Sequence, residues 1–126
     1  FNARRLEDVD IVALEDVAAI QHCRAEVRAL RLEAGVQKYI VEVIRKTRSH
    51  STVLYGASPR AAVALLLCSK ALAAIRGREF VTPDDIRDIA VPVLRHRIAL
   101  RAEAELEGAT TDVVIADIIK SVEVPR

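Results

Sequence analysis

The chain has 126 residues, enough for one domain with a single modest core and too few for a complete multi-domain enzyme. Apolar residues make up 52% of it and charged residues 29%, the balance of a folded globular domain rather than a disordered one. Nineteen Lys and Arg against eighteen Asp and Glu leave a formal charge of +1, so no global field draws it to nucleic acid or to an acidic membrane, and any basic site must be local.

Residues 1–11 have mixed polarity and read as an extended lead-in. They carry no secretory signal pattern, and no apolar run in the chain reaches the roughly 18 residues that cross a bilayer. Methionine is absent, even at position 1; a piece of a longer protein is the simplest account. A first helix is expected over residues 12–23, with Leu14, Val17, Ala18 and Gln21 at helical spacing and Glu15 and Asp16 early, where the helix dipole favours them. Leu30 and Leu32 then alternate with Ala29, Arg31 and Glu33, which predicts a short extended crossing.

The second helix, residues 34–48, is the clearest. Val36, Tyr39, Ile40, Val43, Ile44 and Thr47 fall at i, i+3, i+4, i+7, i+8 and i+11, while Lys38, Glu42, Arg45 and Lys46 lie on the other face. Gly56-Ala57-Ser58-Pro59-Arg60 opens the third, residues 59–76. Gly56 tolerates backbone angles closed to other residues, the Ser58 hydroxyl can cap the helix, and Pro59 fits the first helical position. Arg60 then lies in the first turn, where a cation opposes the helix dipole at a cost of about 0.3–1 kcal/mol. Two readings meet that cost: a phosphate shares the site, or Arg60 pairs with an Asp or Glu of this chain. The helix itself has only Arg60 and Lys70 as charges before its end, so it should sit centrally, ending at Gly77.

Thr82-Pro83-Asp84-Asp85 is a helix start, with Asp85 placed for a capping box. Ile86, Ile89, Ala90, Val93 and Leu94 follow at helical spacing, with a kink or break expected at Pro92. A last helix, capped by Thr111, runs to about Ser121 with Val114, Ile115, Ile118 and Ile119 as its apolar side. The whole is an all-α bundle of five or six helices in a single domain, 1–126, with at most one short extended segment.

Much chemistry is absent. There is no Gly-x-x-x-x-Gly-Lys-Ser/Thr phosphate loop and no strand ending in paired magnesium-binding acids. His22, His50 and His96 have no partner at metal or triad spacing, which leaves surface or capping roles. Cys23 and Cys68 read as buried free thiols in a reducing cytoplasm. Asp84 and Asp85 are explained as helix-start chemistry rather than catalysis, and no metal site is expected. Two Phe, two Tyr and no Trp give no platform for stacking single-stranded nucleic acid.

Tyr55-Gly56-Ala57-Ser58-Pro59-Arg60-Ala61, then Ala71-Leu72-Ala73 to Arg76-Gly77-Arg78, Val81-Thr82-Pro83-Asp84-Asp85-Ile86 and Val93-Leu94-Arg95-His96-Arg97-Ile98 resemble the carboxy-terminal lid of MoxR-family AAA+ ATPases. The resemblance begins near Val12, includes Tyr39-Ile40-Val41 and Thr47-Arg48, and runs to Pro125; the more basic stretch 20–31 departs from the pattern. It implies an excised lid whose α/β core, with the nucleotide loops, lies elsewhere in a parent ATPase using ATP and Mg2+. Arg60 would be the sensor-2 arginine reaching the γ-phosphate, supported by Gly56, Ser58 and Pro59, with no catalytic residue in the fragment and no nucleotide bound tightly to it alone. Implied partners are its own AAA+ core, further copies in a hexameric ring, and a von Willebrand factor A domain protein, in cytoplasmic chaperone-like maturation of other proteins; no nucleic acid or membrane is implied. The competing reading is a free-standing helical adaptor that binds a partner through Arg45, Lys46 and Arg48. A small DNA-binding module is a third, disfavoured because the helix after Pro59 carries alanines and leucines where base-reading residues belong.

Overall fold

The computed structural model describes residues 16–125, and the lead-in and the first residues of the first expected helix lie outside them. Six helices and two short strands follow in the order α1 (Val17–Ala29), α2 (Ala34–Ser49), β1 (Val53–Tyr55), α3 (Pro59–Ile75), α4 (Pro83–Leu94), β2 (Ala99–Leu100), α5 (Ala102–Leu106) and α6 (Thr111–Ser121). The all-α bundle expected from the sequence is thus the fold. Where at most one extended segment was expected, β1 and β2 form a small antiparallel ribbon, with Val53 opposite Leu100 and Tyr55 opposite Ala99. The crossing at Leu30 to Leu32 contributes only a single parallel bridge, Arg31 to Phe80.

The apolar stripe of α2 is buried as its spacing requires: Val36, Tyr39, Ile40, Val43, Ile44 and Thr47. Together with Leu65 of α3, Ile86, Ala90 and Leu94 of α4 and Ile115 and Ile118 of α6, it makes one core, closed at one end by Val53 and Leu100 of the ribbon. α3 packs against α1, α2 and α4. Its buried stripe is narrow, Ala61, Leu65, Ser69 and Ala73 at every fourth position, and small side chains there let the neighbouring helices approach closely. The opposite face is open: Val63, Leu67 and Ile75 are 57%, 45% and 83% exposed. The helix read as apolar all round therefore has one covered side and one bare one.

Three boundaries differ from the sequence reading. α1 extends to Ala29 rather than ending at Cys23, capped by Asp16, whose carboxylate accepts from the Ala18 N–H at 2.7 Å. α4 passes through Pro92 as one helix and ends two residues later; so near the C-terminus a proline removes only one ladder bond. The hydroxyl that caps α6 belongs to Thr110, which accepts from the Val113 N–H, not to Thr111. Gly77 and Gly108 take positive φ angles, 68° and 89°, and end α3 and α5 in Schellman turns, Arg78 N–H to Ala73 O and Ala109 N–H to Ala104 O, both at 2.9 Å. Cys23, expected to be buried, is exposed, and Cys68 is half-buried; both thiols are free.

The corner between α3 and α4 is fixed by ions. Asp85 is fully buried and forms the expected capping box with Thr82, accepting its N–H at 2.9 Å. The same carboxylate accepts from both ends of the Arg78 guanidinium, one contact at 2.7 Å, and from Arg76 at 3.0 Å. Arg76 also reaches Asp88 at 2.7 Å. Burial alone would raise the Asp85 carboxyl, but the hydrogen bonds from Arg78 and from the Thr82 backbone and hydroxyl outweigh it and hold the group at about 2, below its ordinary 3.8.

A lowered carboxyl stabilises the fold above its unfolded value and loses that contribution as pH falls through its folded one. Acid titration of the chain should therefore remove about 2 kcal/mol between roughly pH 4 and pH 2. Asp85→Asn, measured by urea unfolding at pH 7, should cost about 2–4 kcal/mol and flatten that acid transition.

Candidate functional site

The residues singled out at Gly56, Ser58, Pro59 and Arg60 lie together where β1 leads into α3, and the backbone there is held by α2 through Ala57. Thr47 is fully buried near the end of α2; its hydroxyl donates to Ile44 O at 2.6 Å and accepts the Ala57 N–H at 2.9 Å. Arg48, one residue on, donates its Nε–H to Ala57 O at 2.8 Å. Ala57 is thus bonded through both its N–H and its carbonyl to consecutive residues of one helix, and its methyl is itself fully buried.

Gly56 has a different reason from the expected one. Its φ is not positive; what it supplies is room. A Cβ there would lie 2.6 Å from Arg48 Cγ, 2.7 Å from Arg48 Cα and 2.8 Å from Arg48 N, so the turn touches the α2 backbone as only glycine allows. Ser58 occupies the N-cap position with extended angles, but its hydroxyl makes no capping bond, contrary to expectation. Its carbonyl accepts the Ala61 N–H at 2.9 Å instead. Pro59 opens the helix as the sequence predicts.

Arg60 is exposed in the first turn of α3. Among the described residues no carboxylate lies within ion-pair distance of it, which removes the paired reading there and leaves a guanidinium presented from a rigid origin. The adaptor's basic face fares worse. Arg45 is paired with Glu42 at 3.2 Å and Arg48 is spent on Ala57, leaving Lys46 alone. The histidines take local roles: His22 pairs with Glu26 at 3.2 Å, and His50, the residue after α2, shares a 2.9 Å hydrogen bond with Thr52. Among the described residues no cluster of His, Cys, Asp or Glu could hold a metal ion, and no helix is long and apolar enough to cross a membrane.

Sequence reasoning missed Thr47 and Arg48 as supports of this turn, because the bonds join residues ten and nine apart through tertiary packing. One signal was present: a buried stripe that ends on a threonine places a hydroxyl in the core, where it must find partners.

The model of the AAA lid domain family matches residues 45–118, well over half of the chain. The chain belongs to that family. The lid is similar to the uncharacterized protein YeaC of Bacillus subtilis (strain 168), 37% identical over 115 residues that take in 91% of this chain and 35% of that protein. It is similar also to Chaperone MoxR1 of Mycobacterium tuberculosis, 29% identical over 129 residues, 93% of this chain and 31% of that protein. The crystal structure of a putative ATPase from Cytophaga hutchinsonii superposes with a TM-score of 0.77 at 36% identity, covering 81% of the lid and 34% of that chain. The lid spans about a third of the length of these relatives. The resemblance to MoxR-family lids is borne out by these matches.

The two accounts of the turn are separable by unfolding measurements on the lid. Gly56→Ala should cost about 1–3 kcal/mol through overpacking against Arg48, and Thr47→Val about 1–3 kcal/mol by leaving the Ala57 N–H buried without an acceptor. Ser58→Ala should change stability by less than about 0.5 kcal/mol, since its hydroxyl caps nothing.

Proposed function

We propose that the lid reports nucleotide state within a larger ATPase, with Arg60 as the sensor-2 residue that addresses the terminal phosphate of ATP. The observation that carries this reading is a guanidinium left exposed and without a carboxylate partner among the described residues, on a helix start whose preceding peptide is pinned at both ends. A bound ATP with Mg2+ would supply the phosphoryl group that hydrolysis removes; the loops and acids that hold it belong to a core domain outside this chain. Arg60 itself makes a charge-assisted fork that is available while a third phosphate is present and is lost with it.

A loss at the first turn of α3 does not stay local. The Ala57 clamp ties that turn to α2, and the Arg76–Asp85–Arg78 group ties the far end of α3 to α4. The lid would therefore answer as one body, a lever rather than a flexible arm. On the same reading the bare side of α3, with Val63 and Leu67, lies against the lid's own core. The parent works in the cytoplasm as a ring of copies, six by the resemblance, and couples hydrolysis to chaperone-like remodelling of client proteins, with a von Willebrand factor A domain protein as a partner.

The test is Arg60→Ala in the full-length protein. ATP turnover should fall by about 100-fold, the scale on which a preorganised donor to developing charge acts. The melting temperature of the lid should hold, because Arg60 has no partner among the described residues to lose. Unchanged turnover would remove the sensor assignment.

A further inference from the structure

Arg95-His96-Arg97 leads from α4 into β2, and its three side chains have different surroundings. Arg95 pairs with Asp112 of α6 at 2.7 Å, and His96 is exposed. Arg97 is half-buried, and its Nε–H is shut away from solvent with no acceptor among the described residues. A guanidinium stays charged at any pH a protein survives, so Arg97 carries a positive charge for which the described residues offer no partner.

The ribbon says where that partner would come from. Tyr55 pairs with Ala99 in antiparallel register, Gly56 follows Tyr55, and Arg97 precedes Ala99 by two residues, within roughly 7 Å of chain. Arg97 and the turn that leads into Arg60 therefore lie at the same end of the ribbon. The two segments that meet there, residues 43–78 and residues 89–102, contain no Asp or Glu of their own, and Asp112 of α6, which reaches Arg95, is paired with it. In a chain whose net charge is only +1 this is a marked local separation. Among the described residues neither Arg60 nor Arg97 has a carboxylate partner, whereas Arg76, Arg78 and Arg95 each do.

We infer that Arg97 is a second guanidinium for the anion that Arg60 addresses, the terminal phosphate of a nucleoside triphosphate, with the Arg97 Nη groups, which are not shut away as Nε is, as the donors to phosphate oxygens. This rests on the reading of Arg60 given above and extends it. A terminal phosphoryl group offers three oxygens, which accept from two forks at once. Two arginines on separate segments, one at the start of α3 and one in the turn that leads into β2, would recognise the group by direction as well as by charge. The half-buried stem of Arg97 limits the orientations its fork can take.

The experiment is equilibrium binding of ATP, ADP and inorganic tripolyphosphate to the full-length protein, without turnover, for the unaltered protein and for Arg97→Gln, Arg97→Lys and Arg60→Gln. Arg97→Gln should weaken ATP about tenfold while ADP changes less than about twofold, the loss expected for one hydrogen bond to a charged group. Arg97→Lys should recover only part of it, and tripolyphosphate should follow ATP. Equal losses for ATP and ADP, or none, would overturn the inference. If Arg97→Gln lowers the thermal melt so far that the lid does not fold, Arg97→Lys is the variant read, and an unchanged ATP-to-ADP ratio in it overturns the inference as well. An Arg60→Gln protein that keeps its ATP-to-ADP ratio while Arg97→Gln loses it would sink the Arg60 reading alone; the reverse would sink Arg97 alone.

Discussion

The main chain of Ala57 is the point on which the rest of this structure depends. Its N–H is accepted by Thr47 and its carbonyl is met by Arg48, so the end of α2 holds the chain at the point where it turns into α3. Two such bonds, buried or nearly so, stabilise by about 1–3 kcal/mol together. Their larger effect is geometric. With Gly56 touching the α2 backbone and Pro59 fixing the first helical φ, few dihedrals remain free between the core and Arg60. On the proposed reading Arg60 discriminates the presence of one phosphoryl group and needs such an origin, because a displacement of an ångström is enough to lose a charge-assisted hydrogen bond.

The two ends of α3 are secured by different physics. At its start the fastening is made to backbone; at its far end it is ionic, with Asp85 buried beneath Arg76 and Arg78 and kept charged by Arg78 and Thr82. A buried carboxylate with two guanidinium partners and a capping threonine has little freedom to rearrange, which sets the angle between α3 and α4. Between those ends only a four-residue stripe of α3 is buried. The exposed Val63 and Leu67 that follow Arg60 along the helix are the complement of that economy, an apolar side suited to a neighbour rather than to water.

What the sequence showed and what it hid divide along one physical line. α2 was legible because its stripe has six apolar or small positions in helical phase, and α4 because Thr82, Pro83 and Asp85 are start signals that work within four residues. Arg60 stood out for the same reason: a cation at a helix start is a local anomaly. The hidden features are all non-local. The Ala57 clamp joins two elements, the ribbon pairs residues more than forty apart, and the second role of Asp85 needs arginines from the preceding helix end. Gly56 illustrates the limit well, since the residue stood out in the sequence but the reason a glycine stands there, contact with Arg48 rather than an unusual φ, exists only after the helices pack. Ser58 is the converse, a correct position whose hydroxyl is not used. The five residues of α5 are too few to show a period, and α1 buries none of its residues fully, so neither left a clear pattern in the sequence.

The most direct measurement is a pair of crystal structures of the full-length protein, one with a non-hydrolysable ATP analogue and one with ADP. The account predicts that with the analogue an Arg60 Nη atom lies within hydrogen-bonding distance of the terminal phosphate while the Ala57 bonds to Thr47 and Arg48 stay intact, and that with ADP this contact is absent and the lid has moved as one body. An Arg60 guanidinium turned away from the nucleotide in both structures, with the Ala57 clamp in place, would contradict it.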